Sequence, residues 1–165
     1  INTVLALSNE IRSIADEYLK KENIFFIGRN LDYAVAIEGS LKLKEITYKH
    51  SEGYPAGELK HGTIALIDQK SLVIAIITQE NVADKTLNAI HEVKARGAST
   101  ILITTLPRLY ATHEADCVLV LPETNEIFSP VLAVIPTQLF AYHTAKLLGK
   151  DPDKPRNLAK SVTVE

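Results

Sequence analysis

Four short apolar runs constrain the fold of this chain more than any other feature. They cover residues 24–27, 72–77, 101–105 and 117–121, and they are rich in branched side chains without apolar–polar alternation. A strand with one wet face alternates. A strand apolar throughout is covered on both faces, as the central strands of a parallel sheet are. Helical patterns separate the runs. Residues 3–20 carry Val4, Leu7, Ile11, Ile14 and Tyr18 at helical spacing. Residues 31–48 and 82–96 follow the same rule, the latter closed by Gly97 as a C-terminal cap. Ser129 then predicts an N-cap, with Pro130 at the first helical position. That helix ends at Gly149 and is expected to kink near Pro136. Strands alternating with helices imply right-handed crossovers and a doubly wound α/β sheet. Residues 50–54 predict a short edge strand and 58–66 a short helix. Residues 150–165, with Pro152 and Pro155 among charges, read as a tail outside the core.

Composition narrows the function. At 165 residues with 46% hydrophobic and 23% charged side chains, the chain suits one domain with a sizeable core. A net charge of -2 argues against a nonspecific nucleic-acid binder, which needs a basic surface. The single cysteine excludes an intrachain disulfide and fits a reducing compartment, so a cytoplasmic location is expected. No signal peptide is visible. The most apolar stretch, 128–148, contains Gln138, His143 and Lys146 and reads as a buried helix, with no membrane partner expected. The chain begins at Ile1 and contains no methionine, which suggests a piece of a longer protein.

Open parallel sheets bind ligands beyond the carboxyl ends of their strands. The loop Gly28-Arg29-Asn30-Leu31 has one glycine and is neither a dinucleotide fingerprint nor a P-loop. The loop Thr78-Gln79-Glu80-Asn81 lacks glycine and serine, and its Glu80 is expected to repel a phosphate. Glu38, Lys42 and Glu45 share one helix face. That spacing fits a solvated ion-pair ladder. It also fits a carboxylate held beside an ammonium to move protons. His61 lies between glycines in a polar turn, where an imidazole is either surface or an acid–base group. The other histidines share no helix face at metal-ligand spacing, so no metal site is expected. Cys117 in an apolar strand reads as packing. In the tail, Arg156 and Lys160 are either floppy cations or a segment that folds over an active site.

Five stretches carry a family resemblance: Gly28-Arg29; Ala36-Ile37-Glu38-Gly39; Leu41-Lys42-Leu43-Lys44-Glu45-Ile46; Gly57-Glu58-Leu59-Lys60-His61-Gly62; and Pro155 through Glu165. Together they resemble the glutamine–fructose-6-phosphate aminotransferase (glucosamine-6-phosphate synthase) family, over the second of its two sugar isomerase (SIS) domains and the C-terminal tail. The resemblance implies a flavodoxin-like five-stranded parallel sheet over residues 1–149 and an active-site tail over 150–165. It implies Glu45 as the base that moves a proton between C1 and C2 of the sugar phosphate, assisted by Lys42. It implies His61 as the ring-opening histidine, supplied to a neighbouring subunit of a homodimer. Lys160 is implied as the Schiff-base lysine, with Arg156 and Ala159 near the substrate. Fructose 6-phosphate and glucosamine 6-phosphate are the implied ligands, and no cofactor is implied. The implied partners are the first SIS domain, which holds the family's phosphate cradle, and a glutaminase domain. This part alone is then expected to bind fructose 6-phosphate weakly and turn it over poorly. Two other readings stand beside it: another SIS sugar-phosphate isomerase or deglycase, and a non-catalytic module that senses sugar phosphate.

Overall fold

The computed structural model describes residues 1–158. Five parallel strands form one sheet: β1 Asn23–Gly28, β2 Ser51–Pro55, β3 Ser71–Ile77, β4 Ser99–Thr104 and β5 Cys117–Val120. Their spatial order is β2-β1-β3-β4-β5, a doubly wound, flavodoxin-like arrangement. The helices are α1 Asn2–Leu5, α2 Ser8–Glu17, α3 Leu31–Thr47, α4 Glu80–Lys94 and α5 Ser129–Leu147.

Strand pleating explains the unbroken apolar runs. Ile24, Phe26, Ile74, Ile76, Ile101 and Ile103 point to one face and meet α2, α3 and α5. Phe25, Ile27, Val73, Ala75, Ile77 and Leu102 point to the other, against Ala83, Ile90 and Val93 of α4 and Leu59 of the β2–β3 connection. Each strand therefore serves two separate cores. Cys117–Val120 departs from the expected central position: β5 is an edge strand, and Val120 is exposed.

Three local expectations are corrected. The first helical pattern breaks at Ala6–Leu7 into α1 and α2, where Ser8 Oγ lies 2.9 Å from His143 Nε2 and ties the start of α2 to α5. The predicted helix over 58–66 is two 3₁₀ turns, Leu59–His61 and Thr63–Leu66, separated at Gly62. Ser129 does not cap α5; its hydroxyl donates to the Glu126 carbonyl at 2.8 Å, while Asn125 Oδ1 accepts from Ile127 N one turn earlier. α5 runs on through Pro136, which is buried. Other punctuation stands as expected. Gly97 (φ 90°) and Gly149 (φ 67°) follow the ends of α4 and α5, and β2 pairs with β1 as an edge strand.

Candidate active site

The switch point between β1 and β3 is where an open sheet of this order takes a ligand. Here the chain fills it with its own carboxylate. Asp32, in the first turn of α3, is 1% exposed. Its carboxylate accepts from Thr78 N at 2.9 Å and from the Thr78 hydroxyl. Thr78 Oγ1 lies 2.7 Å from Ser129 Oγ. Gln79 Oε1 accepts from Leu31 N at 3.1 Å, taking an amide at the start of α3. Amides that elsewhere cradle a phosphate at a helix N-terminus are thus committed to side chains of this chain. Glu80 is exposed and paired with Arg108 at 2.6 Å. Gly28 makes the close approach possible: a Cβ there meets the Asp32 backbone at 2.5 Å.

Burial raises the Asp32 pKa to about 6, against the lowering effect of the Thr78 bonds.

The Glu38–Lys42–Glu45 line lies elsewhere. α3 starts at the carboxyl end of β1 and runs antiparallel to it, so Glu45 sits near the amino ends of β1 and β2. It is about 20 Å along the helix from Asp32. Lys42 Nζ is 2.9 Å from Glu45 Oε2 and 3.7 Å from Glu38 Oε1. The hydrogen bond to Glu45 raises the Lys42 pKa above the ordinary lysine value, so this ammonium stays charged at neutral pH. Glu45 also lines a cavity of about 570 Å³ with Leu41, Lys44, Tyr48, His50 and Arg156. Arg156 N donates to Tyr48 Oη at 2.9 Å, and its guanidinium lies 4.2 Å from the ring centroid.

The structure thus brings Lys42, Glu45 and Arg156 to one region and leaves His61 apart. His61 is exposed at the end of a 3₁₀ turn whose Leu59 is buried in the core on the other face of the sheet. Ala159 and Lys160 lie outside the described residues. Cys117 is partly buried and its thiol is pushed up to about 11, which makes it a poor nucleophile. Sequence reasoning missed Asp32 and Tyr48. An acidic residue in the first turn of a helix and a tyrosine at its end carry no local signal, because their roles depend on segments 46 and 108 residues away. Among the described residues, no three metal-binding side chains cluster, and no helix is long and apolar enough to cross a membrane.

A parallel five-stranded sheet in this order, flanked by helices on both faces, is the flavodoxin-like α/β architecture, which many unrelated activities share. The SIS domain family matches residues 17–148, and the chain belongs to it. Its relatives include the glutamine–fructose-6-phosphate aminotransferase (isomerizing) of Caldanaerobacter subterraneus subsp. tengcongensis, 53% identical over 94% of this chain and 26% of the relative. The enzyme of that name from Aquifex aeolicus is 46% identical over 100% of this chain and 28% of its own length. The chain therefore spans about a quarter of the length of the curated relatives it matches. Among solved structures, it is similar to the C-terminal domain of glucosamine-fructose-6-phosphate aminotransferase from Francisella tularensis. The TM-score is 0.85 at 41% identity, over 92% of this chain and 43% of that one. Glucosamine-6-phosphate deaminase from Thermotoga maritima shares the fold, with a TM-score of 0.71 at 24% identity over 97% of this chain and 48% of that one.

Proposed function

We propose that this chain is the second SIS domain of a glutamine–fructose-6-phosphate aminotransferase and supplies the groups that move the proton. The observation that carries the reading is the Lys42–Glu45 pair, held 2.9 Å apart on the rim of the cavity that Arg156 also lines. In solvent such a pair contributes little to stability. Beside a sugar phosphate it offers a carboxylate poised against a fixed cation.

The chemistry distributes over residues as follows. His61 exchanges protons at the ring oxygen and C2 hydroxyl of fructose 6-phosphate to open the ring. The Lys160 amine adds to the C2 ketone and water leaves, forming a Schiff base. Ammonia then displaces the lysine. The resulting imine makes the C1–H acidic. Glu45 takes that proton and returns it to C2, while the C1 hydroxyl proton passes to the nitrogen, giving the aldehyde at C1 and the amine at C2 of glucosamine 6-phosphate. The sum is ketose phosphate plus ammonia to amino-aldose phosphate plus water. Lys42 keeps the Glu45 carboxylate oriented.

Two features shape the assembly. Asp32 fills the crevice that could anchor a phosphate, which fits an anchor in a separate domain. His61 and Glu45 sit on elements packed against opposite faces of the sheet, which fits a histidine that serves a second subunit. Ile37 and Leu41 on α3, with Ile127, Phe128 and Val131 before and within α5, stay exposed and offer apolar surface for such contacts.

The test is hexosamine phosphate formation by the full-length enzyme from glutamine and fructose 6-phosphate. Glu45→Gln is expected to lower kcat by at least about 100-fold. Its Tm should stay close to wild type, because Glu45 is partly exposed. Undiminished turnover in this variant would remove Glu45 from the mechanism.

A further inference from the structure

Three observations meet at Tyr48, and the chemistry above uses none of them. Tyr48 ends α3 with φ 64° and ψ 15°, the left-handed conformation. Its hydroxyl accepts from Arg156 N at 2.9 Å. Its ring lies 4.2 Å from the Arg156 guanidinium and 5.5 Å from the Lys150 ammonium. Left-handed helix ends favour glycine or asparagine, and a Cβ there carries strain. Capping by itself therefore gives no reason for a tyrosine. What the ring touches does: both cations belong to the segment after α5, 102 and 108 residues along the chain.

We propose that Tyr48 is a positioning residue that holds the terminal segment across the end of α3, on the cavity that Glu45 lines. The proposal rests on the reading that Lys160 forms the Schiff base. Lys160 follows Arg156 by four residues, so where Arg156 is held decides from where the rest of the tail sets out. The contact is built from complementary parts. The hydroxyl satisfies a backbone amide, and the aromatic face meets a guanidinium. The strained turn points the ring at both. A covalent step by a tail lysine depends on such placement, because a loosely held amine loses its effective concentration.

Two substitutions separate positioning from mere stability. Tyr48→Gly relieves the left-handed strain and removes ring and hydroxyl together. Its Tm is expected to equal or exceed that of wild type. The Arg156 amide should exchange with solvent at least about 10-fold faster, and carboxypeptidase should trim the tail faster. Tyr48→Phe keeps the ring and loses the acceptor, so amide exchange rises while trimming changes less. In the full-length enzyme, Tyr48→Gly should lower kcat about 10-fold with a smaller change in KM for fructose 6-phosphate. Tyr48→Phe should recover part of that loss. Wild-type exchange and trimming in Tyr48→Gly overturn the contact. Faster exchange with unchanged kcat overturns the positioning role. A wild-type full-length enzyme that makes no hexosamine phosphate sinks the functional reading itself, and is seen before any Tyr48 variant is measured.

Discussion

At the scale of single residues, Asp32 shows how a fold can hold a group against its ordinary chemistry. Its folded pKa of about 6 lies above the unfolded aspartate value. The folded state therefore binds the proton more tightly, and this residue contributes stability that is present at low pH and lost as pH rises through 6. A difference of about two pKa units corresponds to roughly 3 kcal/mol. His143 works the other way, because burial lowers its pKa and costs stability as pH falls. Asp32→Asn isolates the first effect, since an amide keeps the size and the acceptor for Thr78 N without a group that titrates. Urea unfolding at pH 5 and pH 8 is expected to show a smaller pH 8 deficit in the variant than in wild type. Identical pH dependence in the two proteins contradicts the assignment.

At the scale of elements, α3 and α5 form the main helix pair over the first core, and Gly39 sets how closely they approach. A Cβ at Gly39 meets Phe26 Cε1 at 2.9 Å and Thr137 Cβ at 3.0 Å, and both neighbours are buried. Helix propensity alone favours alanine there by about 1 kcal/mol. Overpacking a filled core costs roughly 1–3 kcal/mol. Packing is expected to win, because the Phe26 ring is buried and cannot swing aside. Gly39→Ala should therefore lower Tm by a few degrees in calorimetry; a rise would show that the Phe26 ring yields. Around this packed pair Leu31, Ile37, Leu41, Phe128 and Val131 stay exposed.

At the scale of the whole molecule, the arrangement leaves Glu45 and His61 on different faces of one sheet. If each site combines Glu45 of one subunit with His61 of the other, two dead variants should complement. Full-length Glu45→Gln and His61→Ala enzymes, denatured together at equal amounts and refolded, are expected to regain about a quarter of wild-type activity. Half of the dimers are then mixed and each holds one intact pair. No recovery on mixing would place both groups in the same subunit's site, or remove one of them from it.

Much of this was legible in the residues. Uninterrupted branched runs identify strands buried on two faces, and their alternation with helical patterns leads to a doubly wound sheet, because period and covering are local properties of the chain. The Glu38–Lys42–Glu45 spacing determined the ion-pair line, since a helix places i, i+4 and i+7 on one side. The motif stretches pointed to the family. Other features depended on distant segments coming together. That β5 is an edge follows from strand order. That Ser129 joins Thr78 and Asp32 instead of capping its helix follows from the meeting of three elements at the switch point. That Tyr48 meets Arg156 depends on where the chain returns after α5. Periodicity and capping act over a few residues, so the sequence alone determined the elements and their order. Only tertiary packing decided that the ligand crevice is filled from within, and which end of α3 the terminal segment meets.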